Sequence, residues 1–269
     1  MWQRIKTAIV LVIIVGIALF ASGSPILIVP LLAVGAGISA FEWSKLMPHW
    51  QQPWAFVALV LVLTLVSLSI PSSWVVWWAL SVVIWLFALI WVQNFPNQTT
   101  WYDKKLAVIG AIVLTAAITA MFDLWQLSPW WLLYVFLLVW CADSGAYFVG
   151  RKLGRRKMAP RVSPNKSMEG LAGGLVTGLF VVIVISVFKL QLSGLALISF
   201  VALSAMTILA SVLGDLFESM LKRQAGVKDS GTILPGHGGV LDRIDSLLSA
   251  MPIFALGFWA LQHFGILTL

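Results

Sequence analysis

Long apolar runs separated by short polar breaks occupy the chain from end to end. They fall at 6–21, 25–41, 54–70, 74–92, 105–122, 129–150, 170–189, 194–214 and 247–266. Each approaches the roughly 20 apolar residues that an α-helix needs to cross a hydrocarbon core about 30 Å thick. The pattern predicts an all-α, polytopic integral membrane protein with about nine transmembrane helices. Pro25, Pro53, Pro71 and Pro129 stand at helix starts or turns, where a missing N–H costs little. Pro30 lies inside the second run and is expected to kink it. The first run follows Arg4 and Lys6 and ends at Ala21-Ser22-Gly23-Ser24, a layout shared with secretory signal peptides. Further runs follow at once, so it is read as the first membrane helix.

Charge placement checks this segmentation independently. If the N-terminus is cytoplasmic, 16 of the 17 Lys and Arg residues fall in loops on the cytoplasmic side, and only Lys189 falls outside. A missed or invented span would invert every later loop. The expected topology therefore has the N-terminus in the cytoplasm and the C-terminus outside, with the polar loops 151–169 and 215–246 both cytoplasmic.

Composition agrees and removes other classes. With 61% hydrophobic and 10% charged residues and a mean hydropathy of +0.99, the chain lies outside the soluble globular range. A net charge of +7 raises nucleic acid as a partner. The basic residues show no aromatic interleaving, however, and the 15 tryptophans cluster near the ends of apolar runs as interfacial anchors, so no nucleic-acid partner is expected. Cys141 is the only cysteine, which excludes an intrachain disulfide and a zinc cluster.

The chain divides into a scaffold region, 1–125, with about five helices, and a catalytic region, 126–269, with about four. Glu42, Asp103 and Asp123 in the first region are read as solvated surface groups. Chemistry is concentrated later. Five of the ten acidic residues, Asp215, Glu218, Asp229, Asp242 and Asp245, fall within 215–246, interleaved with Lys222, Arg223, Lys228, His237 and Arg243. Asp215, Glu218, Ser219, Lys222 and Arg223 share one face of a helix continuing out of the eighth span. The turn Leu234-Pro235-Gly236-His237-Gly238-Gly239 offers backbone N–H groups that can approach an anion closely.

Two further clusters face this one. Asp143, in Asp143-Ser144-Gly145-Ala146-Tyr147, lies inside the sixth span, where a carboxylate must face protein, water or a cation. The small residues beside it favour close helix contact. In Ser163-Pro164-Asn165-Lys166-Ser167-Met168-Glu169-Gly170, Ser167 and the residues after it are placed to cap the seventh helix. Lys166 beside that helix start is a natural phosphate contact. Carboxylates for a divalent cation and cations for phosphate together describe a metal-bound polyphosphate site.

The run from Ser219 to Asp245, with Lys228-Asp229-Ser230-Gly231 and Leu234-Pro235-Gly236-His237-Gly238-Gly239-Val240-Leu241-Asp242-Arg243-Ile244-Asp245, resembles the signature of the phosphatidate cytidylyltransferase family position for position. The resemblance extends to Asp143-Ser144-Gly145-Ala146-Tyr147 and to 163–170, and so covers the chain after about residue 140. It implies that CTP and phosphatidate give CDP-diacylglycerol and pyrophosphate with Mg²⁺, at the cytoplasmic face of the bacterial inner membrane. It assigns a catalytic role to Asp143, Asp215, Lys222, Arg223, Asp229, His237, Asp242, Arg243 and Asp245. Asp215 and Asp242 are the expected Mg²⁺ ligands, and the remaining aspartates admit a second cation such as K⁺. Ser144, Asn165, Lys166, Ser167, Glu169, Glu218, Ser219, Lys228, Gly238 and Gly239 are the expected substrate-binding residues. The expected partners are CTP, phosphatidate and the lipid bilayer, with a homodimer as a further expectation.

A cation transporter lined by Asp143 and Asp215 is the alternative from another class. It calls for polar residues spread through several span centres, whereas the carboxylates crowd one membrane face. An enzyme transferring a CDP-linked lipid to an alcohol calls for an Asp-Gly-x-x-Ala-Arg pattern, which is missing from the sequence.

Overall fold

The computed structural model describes residues 2–21, 23–47, 49–97 and 103–268, with the side chains of residues 2–5 and 8, Arg4 among them, outside the description. Among the described residues the nine apolar runs each coincide with a helix: α1 (Trp2–Phe20), α2 (Ile28–Lys45), α3 (Pro53–Leu68), α4 (Trp74–Asn94), α5 (Asp103–Leu127), α6 (Pro129–Leu153), α7 (Met168–Val184), α8 (Gly194–Gln224) and α9 (Leu241–His263). Among the described residues, six stretches are long and apolar enough to cross a membrane: Pro71–Asn94, Asp103–Leu127, Pro129–Leu153, Met168–Lys189, Gly194–Gln224 and Leu241–His263. Two shorter apolar helices, Ile9–Phe20 and Pro53–Leu68, accompany them. The chain is an integral membrane protein.

Helix α5 is the hub. In its apolar window 83% of the residues are buried inside the protein, against 28% for the α4 and α7 stretches, which turn most of their surface outward. Around it the helices approach closely where side chains are small. A Cβ added at Gly174 of α7 would lie 2.7 Å from the Ala142 carbonyl oxygen of α6, so the α6–α7 contact depends on glycine. Between α8 and α9, Ser249 Oγ donates to the Ala210 carbonyl at 2.7 Å. Tyr134 on α6 and Ser204 on α8 share a buried hydroxyl–hydroxyl bond of 2.7 Å. Such internal pairing is what buried polar groups require in an apolar surround.

Two local features depart from the sequence reading. Pro30 does not interrupt α2, because that helix begins only at Ile28 and places the proline in its first turn, where no intrahelical bond is lost. The second feature is a small antiparallel hairpin between α6 and α7, in an otherwise helical chain. Strand β1 (Lys157–Ala159) pairs with β2 (Ser163–Ser167), with Lys157 opposite Ser167 and Ala159 opposite Ser163. The hairpin is short because Pro160 and Pro164 remove ladder donors on both arms. Its second strand runs directly into α7, and this sets the direction in which Lys166 projects.

Candidate active site

Four helices and one loop enclose a cavity of about 550 Å³. Its walls come from Leu11 and Val12 of α1, Val139, Trp140 and Asp143 of α6, Asp215 and Lys222 of α8, Asp229 and His237 of the connecting loop, and Asp242, Arg243, Asp245, Ser246 and Leu247 of α9. Asp143, Asp215, Lys222, Asp229, His237, Asp242, Arg243 and Asp245, eight of the nine residues expected to be catalytic, line this one space. The ninth, Arg223, lies one position along α8 from Lys222 and turns instead to the hairpin, where its Nε donates to the Val162 carbonyl at 3.4 Å.

The most constrained group is Lys222. Its ammonium lies 2.6 Å from Glu218 Oε2 and 2.7 Å from Asp242 Oδ1, and the side chains are 13%, 2% and 4% exposed, respectively. Glu218 belongs to the same helix one turn earlier. Asp242 arrives from the first turn of α9. Its Oδ2 also accepts the Ser230 N–H at 3.0 Å and the Gly239 N–H at 2.8 Å. Asp242 thus joins α8, the connecting loop and α9 at one carboxylate.

Close approach at this point depends on glycine. Gly238 has φ +81°, and a Cβ there would lie 2.7 Å from Asp242 Oδ2. The loop makes its reversal through a two-bond bridge, Leu234 N–H to the Gly238 carbonyl and His237 N–H to the Leu234 carbonyl, both 2.9 Å. His237 Nδ1 is buried without a hydrogen-bond partner among the described residues.

The second anchor is Asp215. Lys166 Nζ lies 2.6 Å from Asp215 Oδ2, and Ser219 Oγ donates to Oδ1 at 3.2 Å. The hairpin residue and the α8 carboxylate therefore meet at the cavity edge. Ser167, 3% exposed, caps α7 by accepting the Gly170 N–H at 3.1 Å. Glu169 accepts the Arg155 and Arg156 backbone N–H groups at 3.0 and 3.1 Å and Arg156 Nε at 3.1 Å, which fixes the start of the hairpin. Ser144, Asn165 and Lys228 are exposed and are not among the cavity-lining residues. Glu218, Ser219, Gly238 and Gly239 act on the cavity through Lys222, Asp215 and Asp242.

Among the described residues, no three His, Cys, Asp or Glu side chains are grouped so as to hold a metal ion by themselves. A magnesium-class cation does not need such a cage, since one or two carboxylates and the phosphates of a substrate complete its octahedron. Asp215 fits that demand, since it lines the cavity and each of its oxygens accepts a single bond, from Lys166 or Ser219. Asp242 also lines the cavity, but its oxygens already accept Lys222 Nζ and the Ser230 and Gly239 N–H groups, so it would take a cation by giving up one of these bonds.

Sequence reasoning missed three residues from the first half of the chain. Glu42, expected to be a solvated surface group, is 0% exposed, and its Oε2 accepts the Leu241 N–H at 2.7 Å. A lone carboxylate at the end of an apolar helix, in Phe41-Glu42-Trp43, was the available signal. Leu11 and Val12 gave no signal, because an apolar residue facing a cavity reads the same as one facing lipid.

Comparison with known proteins follows the same outline. The sequence profile of the Cytidylyltransferase family matches residues 2–261. The phosphatidate cytidylyltransferase of Pseudomonas aeruginosa is 38% identical over 237 residues, 85% of this chain and 87% of that protein. Those of Haemophilus influenzae and Bacillus subtilis are 44% and 41% identical over 184 and 177 residues, just under two thirds of each chain, at 64% of this chain and 64% of the relative for the first and 62% and 64% for the second.

Proposed function

The chain belongs to the cytidylyltransferase family, and from that premise we propose that it transfers CMP from CTP to phosphatidate, yielding CDP-diacylglycerol and pyrophosphate. The observation that carries this reading is the mixed lining of the cavity, which combines the ionic residues Asp143, Asp215, Lys222, Asp242, Arg243 and Asp245 with the apolar residues Leu11, Val12, Val139 and Trp140. A polyphosphate suits the first set and the glycerol end of a lipid suits the second.

In the proposed reaction a phosphatidate oxygen attacks the α-phosphorus of CTP in line, forming the new P–O bond as the bond to pyrophosphate breaks. The nucleophile is a phosphate monoester with a second pKa of about 6, already an anion at neutral pH, so the step requires no general base. His237 accordingly serves the shape of the glycine turn and donation to phosphate. Lys222 and Arg243 neutralise the phosphates. Catalysis of this kind consists of alignment and charge stabilisation.

Mg²⁺, held by Asp215 and Asp242 together with substrate phosphates, would neutralise charge on the triphosphate and its leaving group. Asp143, Asp229 and Asp245 leave carboxylates for a second cation such as K⁺. The topology proposed is nine crossings with the N-terminus in the cytoplasm and the C-terminus outside. The cavity would then open at the cytoplasmic face of a bacterial inner membrane, where soluble CTP and membrane-borne phosphatidate both reach it. The distribution of Lys and Arg along the sequence supports this orientation.

The test is direct. Purified protein is incubated with CTP labelled at the α-phosphate, phosphatidate and Mg²⁺, and the lipid phase is counted. Label is expected in the lipid with the wild type and not with Asp242→Ala. An unlabelled lipid phase, or full labelling by Asp242→Ala, overturns the assignment.

A further inference from the structure

Glu42 occupies the last turn of α2, far in sequence from the charged stretch, and is completely buried. Its Oε2 accepts the Leu241 N–H at 2.7 Å across 199 sequence positions. Leu241 is the first residue of α9, whose own N-cap residue, Val240, supplies no side-chain hydrogen bond. Glu42 therefore caps α9 from another helix, satisfying a backbone donor that a helix start leaves open. Its carboxylate also lies where the helix dipole favours negative charge.

The other oxygen is unusual. Oε1 is buried with no hydrogen-bond partner. Both edges of the glycine loop close on this carboxylate: a Cβ added at Gly231 would strike Oε1, and one added at Gly239 would meet Oε2 at 2.5 Å and Oε1 at 2.6 Å. A buried carboxylate that meets only the Leu241 and Val240 backbone N–H groups is a poor way to stabilise a fold. Its location says what else it does. Gly231 directly follows Ser230 and Gly239 lies two positions before Leu241, and Asp242 grips the same loop from the cavity side through the Ser230 and Gly239 N–H groups. Glu42 is not among the cavity-lining residues.

We propose that Glu42 is a positioning residue for cytidylyl transfer: it caps α9 from α2 and moulds the Gly231–Leu241 loop, so that the loop keeps its shape when Asp242 turns its carboxylate toward substrate and cation. The proposal rests on the reading of the cavity as the transfer site. Glu42 itself touches no substrate.

The experiment uses the full-length protein in nanodiscs, as wild type, Glu42→Gln, Glu42→Asp, Glu42→Ala, Gly239→Ala and the double variant Glu42→Ala/Gly239→Ala. Backbone hydrogen exchange over residues 231–241 is read alongside kcat and the KM for CTP. Glu42→Ala is expected to speed exchange in that segment by about tenfold or more while leaving α5 unchanged. Its kcat is expected to fall by about tenfold or more, with the KM for CTP within about threefold of wild type, since misplacement by an ångström is costly to a positioned reaction.

Glu42→Gln keeps an acceptor for the Leu241 N–H and is expected to stay within about threefold of wild type in both readouts, with Glu42→Asp between the two. Gly239→Ala is expected to be damaging alone and to add nothing in the Glu42→Ala background, because the atoms it would strike are gone. Unchanged exchange in Glu42→Ala, kcat near wild type in that variant, or a Glu42→Gln defect equal to that of Glu42→Ala overturns the proposal. If Glu42→Ala fails to fold, the comparison of Glu42→Asp with Glu42→Gln decides: equal behaviour overturns it. A wild type without transfer activity sinks the functional reading, while the exchange result still judges the loop contact.

Discussion

Lys166 Nζ lies 2.6 Å from Asp215 Oδ2, so the hairpin between α6 and α7 is fastened to α8 at the edge of the cavity. The two side chains remain 25% and 31% exposed, and a pair with that much solvent contributes at most about 1 kcal/mol to the fold. A phosphate offers the ammonium a stronger, charge-assisted partner than the carboxylate does. Lys166→Ala is therefore expected to leave the melting temperature in detergent within about 4 °C of wild type. It is expected to lower kcat/KM for CTP by about tenfold to a hundredfold. Initial rates at varied CTP, paired with thermal unfolding, check this. Loss of stability without loss of kcat/KM would make the pair a hairpin clasp alone.

Lys222 presents the opposite balance. It sits between Glu218 and Asp242 with little solvent, and removing it leaves two buried carboxylates facing each other. Breaking a buried pair by deleting one partner costs about 3–5 kcal/mol. Lys222→Met is expected to unfold or fail to accumulate in the membrane. In the double variant Lys222→Met/Glu218→Gln one of the two charges is gone, so folded protein is expected to return. Transfer activity is not, because the cation proposed to meet phosphate is still missing. Folded yield by size-exclusion chromatography and label incorporation into lipid separate the two effects.

The glycine turn can be tested by a contrast between two positions with similar backbones. Gly226 has φ +69° with nothing within 4 Å of a Cβ, whereas Gly238 has φ +81° with Asp242 Oδ2 at 2.7 Å. Alanine at either position meets the left-handed conformation, at a cost of about 1–2 kcal/mol. Only at Gly238 does the new methyl group also displace Asp242. Gly226→Ala is expected to retain kcat within about threefold, and Gly238→Ala to lose about tenfold or more. Equal loss at the two positions would reduce the turn's role to backbone strain.

These contrasts also mark how much could be read in the sequence. The Asp215 to Asp245 stretch was legible because charge is scarce in this chain, and so many charged residues between two apolar runs have no structural use in lipid. The helices were legible for the related reason that a membrane span must satisfy its own backbone. The hairpin at 157–167 was not, because its strands have three and five residues and its proline content reads as turn. Glu42 was misread because its partner, Leu241, lies 199 residues away and contributes only a backbone N–H, which has no sequence signature. The apolar wall from Leu11 and Val12 was silent because periodicity reports burial against something, and lipid, cavity and protein are alike to it.

Cation dependence supplies the last contrast. Asp242 and Asp229 both line the cavity, but Asp242 is 8% exposed and holds two backbone N–H groups and Lys222, whereas Asp229 is exposed. If Mg²⁺ is held by Asp215 and Asp242, chelation with EDTA abolishes transfer and added Mg²⁺ restores it. Asp215→Asn then raises the Mg²⁺ concentration for half-maximal rate by about tenfold or more, since a neutral amide loses the charge that a hard cation prefers. Asp229→Asn shifts that concentration by less than about threefold, because its removal leaves both ligands in place. Titration of Mg²⁺ at saturating CTP and phosphatidate measures all three curves. A larger shift in Asp229→Asn than in Asp215→Asn would move the cation from α8 to the loop and reassign the two carboxylates.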